Sequence, residues 1–372
     1  MVGALPPPQT GQAISFERLL NQFVSEENVN VYPFDTCSSS KDKHITGALR
    51  FVRIFETLTL IFKFSWLFYK KKPNIVYMTK GSTTLGFCRD LCLQLVSRAF
   101  NSEIRFVVHL KGGNYDVFYS SSPKYIKYLI RFFLKKCNAI IVLGNSLIPM
   151  YHFLPEINNK IFVVNNALTT SYQLERSEFC KSGVVNFLYL SNLIYTKGYI
   201  HILEAAEILL RDNIKQFNLT FAGHFMKSPD DPEDIDGIQE IFQEGIKLYK
   251  NIKYIGPVGG IDKHNLLKYS DVFILPTNYY VEGQPVSIIE AMAYSMPVIT
   301  TNYRSIPDIV CKENAKFVEY SNIEQIKDAM NYFIQNKKII EEMGSQSRKL
   351  YQNKFTWETH FENIRKIILE IS

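Results

Sequence analysis

Short runs rich in β-branched and aromatic residues, each followed by a helix-length stretch, recur in two series along this chain. That alternation restricts it to parallel sheets with right-handed crossover helices. The first series is Asn74-Ile-Val-Tyr-Met78, with a helix from Thr84 to Arg98; Ile104-Arg-Phe-Val-Val-His109, with a helix from Pro123 to Cys137; Ala139-Ile-Ile-Val-Leu143, with a helix from Ser146 to Leu154; and Lys160-Ile-Phe-Val-Val164. After the polar stretch Thr169 to Ser182 the pattern restarts with Asn186-Phe-Leu-Tyr-Leu190 and a helix through Ile200 to Ala206. It continues through Leu219-Thr-Phe-Ala-Gly223, Ile252-Lys-Tyr-Ile255, Asp271-Val-Phe-Ile-Leu275, Pro297-Val-Ile-Thr300 and Ala315-Lys-Phe-Val318. The expected fold is therefore α/β, two doubly wound Rossmann-like domains facing across a cleft. The first spans 1–168, a linker 169–184, the second 185–355, and a last helix within 356–372 belongs to the second or crosses back to the first.

The 372 residues suit two domains of ordinary size. The six cysteines include only one close pair, Cys88 and Cys92, spaced as one helical turn rather than as a zinc or redox motif, so free thiols in a reducing compartment are expected. The start Met1-Val-Gly-Ala-Leu-Pro6 lacks the build of a signal peptide, and the apolar run Leu58 to Phe62 is broken by Lys63, so no membrane span is expected.

Charge is uneven. Residues 1–166 carry 20 Lys and Arg against 10 Asp and Glu, net +10, whereas 167–372 are net −4. Lys and Arg alternate with aromatics over Phe62 to Lys72 and Tyr125 to Lys136. On a surface helix this mix suits an anionic membrane face. Nucleic acid is the rival partner, and a core-facing aromatic stripe with solvated lysines opposite is the plainer reading of either helix.

Ligands of open parallel sheets bind beyond the carboxyl ends of the strands, so the residues following each strand are the candidates. After Leu275 comes Glu282-Gly-Gln-Pro-Val-Ser-Ile-Ile-Glu290-Ala-Met-Ala, a loop and then a helix beginning near Pro285. Backbone donors of Gln284, Val286 and Ser287 at that helix start are candidates for a phosphate. Glu290 and Glu282 are candidates for polyol hydroxyls, or else a solvated helix residue and a loop charge. After the first strand of the second series, Asn192-Leu-Ile-Tyr-Thr-Lys197-Gly198 opens a helix with Thr196 as its expected N-cap. Lys197 is either a diphosphate ligand or a solvent-facing lysine. His109 ends a strand ahead of Leu110-Lys-Gly-Gly-Asn114 and is either a site residue or a hydrogen-bonded core histidine. Pro6-Pro-Pro-Gln-Thr-Gly11 is a second glycine loop or a frayed terminus. Asp234-Ile-Asp236 has the spacing of a metal-binding pair but lies in an acidic, proline-broken stretch that reads as a solvated loop.

Together these residues resemble retaining glycosyltransferases of the GT-B fold, specifically glycosyltransferase family 4 (group 1). The specific match is Glu282 to Glu290 with the following Ala-Met-Ala, the family's E-x7-E motif. Lys197-Gly198, Phe221-Ala-Gly223, Tyr254-Ile-Gly256 and the strand from Ser270 to Pro276 support it. Leu5-Pro-Pro-Pro8 and His109 to Asn114 are fainter landmarks. The resemblance implies transfer of a sugar from a nucleoside diphosphate sugar to an acceptor hydroxyl, the anomeric configuration being retained. Glu290 would hold the nucleotide ribose, Glu282 the donor sugar and Lys197 the diphosphate, helped by the turn from Gly283 to Ser287, with Gly11 in the second glycine loop. His109 would orient the sugar from across the cleft, and the leaving phosphate would take the acceptor proton. Family members often carry an arginine five residues before the lysine, where this chain has Asn192; Arg304 is a candidate substitute.

The expectation is thus a metal-independent enzyme without a cofactor beyond its nucleotide sugar co-substrate. It would build a capsule- or lipopolysaccharide-type polysaccharide on a glycan or lipid-linked acceptor. Its place would be cytoplasmic, peripheral at the inner face of an anionic membrane, with no nucleic acid partner. A sugar-nucleotide epimerase and a non-enzymatic membrane scaffold are the alternatives.

Overall fold

A computed structural model describes residues 1–7, 11–37, 48–169 and 183–371. The chain divides into two compact units, Met1–Asn165 with His360–Ser372, and Asn166–Thr359. Cys180, Pro8 to Thr10 and most of the 169–184 stretch lie outside the described residues. The five described cysteines are free thiols.

The first unit holds β1 (Val2–Gly3), α1 (Gly11–Val24), β2 (Phe34–Asp35), α2 (Ala48–Lys71), β3 (Ile75–Lys80), α3 (Thr84–Phe100), β4 (Arg105–Leu110), α4 (Tyr115–Ser121), α5 (Lys124–Lys135), β5 (Ala139–Val142) and β6 (Ile161–Val163). Its six parallel strands are ordered β2-β1-β3-β4-β5-β6. The second unit holds β7 (Val185–Leu190), α6 (Tyr199–Arg211), β8 (Phe217–Ala222), α7 (Ile235–Leu248), β9 (Ile252–Tyr254), α8 (Gly260–Tyr269), β10 (Val272–Leu275), α9 (Val286–Ala293), β11 (Val298–Thr300), α10 (Ile306–Ile309), β12 (Ala315–Phe317), α11 (Ile323–Gln335) and α12 (Lys337–Lys354). Its strands, also all parallel, are ordered β12-β11-β10-β7-β8-β9. The final helix α13 (Trp357–Glu370) starts in the second unit and from His360 belongs to the first, where Phe361 packs on Phe23 and Arg365 pairs with Glu26 at 3.1 Å.

The strands form where the sequence is continuously apolar because helices cover both faces of each sheet. All four residues of β10 and all four of β5 are buried. Burying each large aliphatic or aromatic side chain contributes about 1.5–3 kcal/mol, which is what holds such strands in place. One expected helix does not form. Ser146 to Leu154 is 3-10 turn at Asn145–Tyr151, because Pro149 inside it has no N–H to donate and crowds the preceding turn.

The two basic, aromatic segments resolve differently. In α5 the buried row is Ile126, Ile130, Phe133 and Leu134, with Tyr125 and Tyr128 outside, so that helix is the plain amphipathic case. In α2, Phe64 and Phe68 enter the core while Phe62, Trp66 and Tyr69 stand in solvent.

Candidate active site

The chain leaving β7 returns through β8, to one side, whereas the chain leaving β10 returns through β11, to the other. Adjacent strands with opposed crossovers open a crevice at their carboxyl ends, the usual ligand position in a doubly wound sheet. β7 and β10 are tied at their starts: the Asn186 backbone N–H and side-chain amide both donate to the buried Asp271 carboxylate at 2.9 Å, and the Asp271 N–H donates to the Asn186 carbonyl at 2.7 Å. Residues 191–198 follow β7 and residues 276–285 follow β10, so these loops border the crevice.

Two glycines let the loops approach. Gly198 has φ +81°, and a Cβ there would lie 2.6 Å from the Pro276 carbonyl oxygen. Gly223, after β8, has φ +149°, and a Cβ would lie 1.9 Å from the Ser191 oxygen. The Asn278 N–H then donates to the Thr196 carbonyl at 2.7 Å, joining one loop to the other. Thr196 is not the N-cap of α6. It lies in a 3-10 turn, Tyr195–Lys197, and Gly198 takes the cap position, because the helix can start only after the left-handed residue the close approach demands.

On this frame Lys197 meets Glu282. The ammonium is 3.1 Å from the Glu282 carboxylate, and both side chains are largely buried, at 13% and 10% exposure. Lys197 also donates to the Ser191 hydroxyl at 3.1 Å and lies over the Tyr279 ring. Glu282 accepts a long hydrogen bond from the Thr277 hydroxyl, at 3.4 Å. Lys197 is thus not a solvent-facing lysine, and Glu282 is not a free loop charge. A pair this buried persists because each charge neutralises the other; alone, either would carry a desolvation cost of several kcal/mol, on the order of 3–5.

Past Glu282, the Gly283 carbonyl accepts from the buried Ser305 hydroxyl at 2.5 Å. The Gln284 side-chain oxygen accepts from the Asn166 N–H at 2.7 Å, and its carbonyl accepts from the Asn166 amide at 3.2 Å. Gln284 is therefore held as a brace. Pro285 sits at the N-cap and α9 starts at Val286, with no side chain capping it. Val286 is exposed and Ser287 half-buried, so the amides of the first turn are the open, positive end of a short helix dipole.

One turn further, Glu290 accepts from Lys263 of α8 at 2.6 Å. Burial raises the Glu290 carboxyl above the ordinary value, and the Lys263 ammonium pulls it back down. Neither reading of Glu290 included Lys263, which lies 27 residues upstream with no local signal. Asn192 is exposed, and its carbonyl accepts from Tyr189 at 2.9 Å. Arg304, at φ +50°, lies over the Tyr303 ring next to Ser305.

Asp234 and Asp236 have structural tasks. Asp234 caps α7 through the Gly237 N–H at 3.2 Å, and Asp236 pairs with Lys227 at 2.8 Å. The stretch therefore ends as a capped helix rather than a loop. Among the described residues no group of three or more His, Cys, Asp or Glu could hold a metal.

In the first unit, His109 is fully buried near the end of β4, where the Tyr77 hydroxyl meets its Nδ1 at 2.6 Å. With the phenol donating, the ring proton sits on Nε2, a buried atom without a hydrogen-bond partner among the described residues. Burial first, and then Lys111 and His360, hold His109 well below the ordinary imidazole value. His360 of α13 lies 6.1 Å away, ring to ring, and its Nδ1 bonds the Asn165 carbonyl at 2.5 Å. Burial brings Lys111 to about 7 and His360 to about 3. His109 is thus a core histidine on one side and an unsatisfied polar group on the other, the kind of buried group that calls for an explanation. Gly11 opens α1, with open space where a side chain would be.

Residues 175–350 match the family model for glycosyl transferases group 1. A capsular polysaccharide biosynthesis glycosyltransferase of Staphylococcus aureus, CapM, is 24% identical over 345 residues, covering 87% of this chain and 84% of the relative. The UDP-Gal:alpha-D-GlcNAc-diphosphoundecaprenol alpha-1,3-galactosyltransferase of Escherichia coli is 25% identical over 187 residues, 50% of this chain and 45% of the relative. The crystal structure of a glycosyltransferase from Rickettsia africae superposes with a TM-score of 0.71 at 16% identity, over 100% of this chain and 97% of the other.

Proposed function

Because this chain is a glycosyltransferase of group 1 with the GT-B fold, we propose that it moves a sugar from a nucleoside diphosphate sugar to an acceptor hydroxyl with retention of configuration. The acceptor is a lipid-linked saccharide of a capsule- or lipopolysaccharide-type polysaccharide, met by an enzyme peripheral to the cytoplasmic face of an anionic membrane. The observation that carries the donor part is the convergence of Lys197, Glu282 and the open start of α9 on one crevice, with Glu290 a turn away. A diphosphate suits an ammonium and the uncapped amides of α9, and carboxylates suit the hydroxyls of ribose and sugar. The capsular and diphosphoundecaprenol-directed relatives support the acceptor class.

In this reading the bond from the anomeric carbon to the phosphate oxygen breaks as the acceptor oxygen bonds on the same face, and the acceptor proton passes to the leaving phosphate. Lys197 stabilises the charge that collects on that phosphate, Glu282 holds the sugar, and Glu290 holds the ribose. The protein's contribution is positioning and electrostatics, and the scheme requires no metal or further cofactor.

The test mixes nucleotide sugars with a lipid-linked acceptor, measures release of nucleoside diphosphate, and reads the product anomer by NMR. Glu290→Ala should weaken nucleotide affinity about 10-fold, a loss of roughly 1.4 kcal/mol, while Glu282→Ala should mainly lower kcat. Full activity in both variants, or an inverted product, overturns the assignment.

A further inference from the structure

From Phe55 onward, α2 is apolar on two opposite faces. The inner face inserts Phe64 and Phe68, each 2% exposed, into the core of the first unit. The outer face carries Phe55, Leu58, Phe62, Trp66 and Tyr69, which are 72, 59, 72, 61 and 62% exposed. Their spacing of three, four, four and three residues places all five on one stripe, about 21 Å long at the α-helical rise. Phe100, 49% exposed, extends it through a ring contact with Tyr69 at 6.5 Å. Exposed apolar side chains are ordinary when scattered, but a contiguous row of five is the mark of an interaction surface.

We propose that this outer face of α2 is the surface by which the protein lies on an anionic lipid bilayer, its aromatic row entering the interface and its lysines meeting the lipid headgroups. The proposal rests on the membrane part of the function given above and names the element responsible. Lys63 flanks the stripe and Lys70, Lys71 and Lys72 close its carboxyl end, all exposed, while Glu56 is the one acidic residue in the helix. Tryptophan and tyrosine with flanking lysines are the residues of the membrane interface, since each has an apolar body and a polar tip. A second copy of the chain fits less well, because this face carries Lys63, Lys70, Lys71 and Lys72 and the helix only one acid, Glu56, with which a copy's lysines could pair. The helix does not cross the bilayer, since no described helix is long and apolar enough and its inner face is committed to the core.

The chain has two tryptophans, and Trp357 is 3% exposed, so in Trp357→Phe the emission reports Trp66 alone. Adding vesicles of 30% phosphatidylglycerol in phosphatidylcholine should shift that emission to the blue, and brominated acyl chains should quench it. If Trp357→Phe does not fold by circular dichroism, the same quenching is read in the unsubstituted protein. Co-sedimentation with these vesicles should fall at least 10-fold in Phe62→Ser/Trp66→Ser. It should fall similarly on pure phosphatidylcholine and in Lys70→Gln/Lys71→Gln/Lys72→Gln. The proposal is overturned if anionic vesicles do not bind the protein, if the aromatic variant binds as well as the parent, or if that variant only dissociates a dimer seen by light scattering. No donor or acceptor enters the assay, so its failure leaves the active-site assignment standing, and inactivity of Glu290→Ala leaves this one standing.

Discussion

Lys263 sets the state of Glu290. The carboxyl is raised by burial and lowered by its partner, so Lys263→Met raises it further. An acid whose folded value is raised binds its proton more tightly folded than unfolded. The resulting stability is present below the ordinary glutamate range and lost as pH rises through the folded value. Lys263→Met should therefore cost little near pH 4 and about 1–2 kcal/mol at pH 7.5, less than for a fully buried pair because the lysine is 30% exposed; urea unfolding at the two pH values checks this, and an equal loss at both would contradict it. Lys197 and Glu282 call for a double-mutant cycle. Lys197→Met and Glu282→Gln should each destabilise by about 3 kcal/mol, the double variant by clearly less than the sum, and all three should transfer sugar poorly. Stability restored without activity separates the ion pair's structural part from its chemical one.

At the scale of elements, the crevice depends on backbone approach. Gly223→Ala puts a methyl group onto the Ser191 carbonyl, and neither atom belongs to a flexible side chain, so a loss of about 3 kcal/mol or more is expected. Gly256 also has positive φ, +72°, but open space around it, so Gly256→Ala should cost only about 1–2 kcal/mol. Thermal melts of the two variants make the comparison, and similar shifts would mean that the β7 and β8 loops are not locked as described. The β10 strand, the loop and α9 were legible in the sequence because an unbroken apolar run, a glycine–proline turn and a renewed apolar pattern follow within a few residues. Thr196 has the residue type of a cap, but the cap is Gly198, whose left-handed backbone is imposed by Pro276 from a distant loop. The aromatic segment of α2 read as either core or surface because a helix with two apolar faces shows no single periodicity.

At the scale of the molecule, buried histidines give the first unit a pH dependence. His109 and His360 have folded values below the ordinary imidazole one, so the unfolded chain binds more protons between about pH 3 and 6.5, and stability falls as pH drops through that window. His360→Gln should flatten the fall, measured by urea unfolding at pH 7.5 and 5; an unchanged slope would show that other groups dominate. What the sequence determined by itself is the α/β class and the place of ten of the twelve strands among the described residues, because local apolar periodicity is written in consecutive residues. The two-residue strands β1 and β2 are too short to show it clearly. The tertiary structure alone decided the strand order that makes β7 and β10 neighbours, the Lys197–Glu282 and Lys263–Glu290 pairs, and which face of α2 meets the solvent. Each joins residues or surfaces whose relation exists only once the sheet is assembled, and no local pattern encodes a contact across that distance.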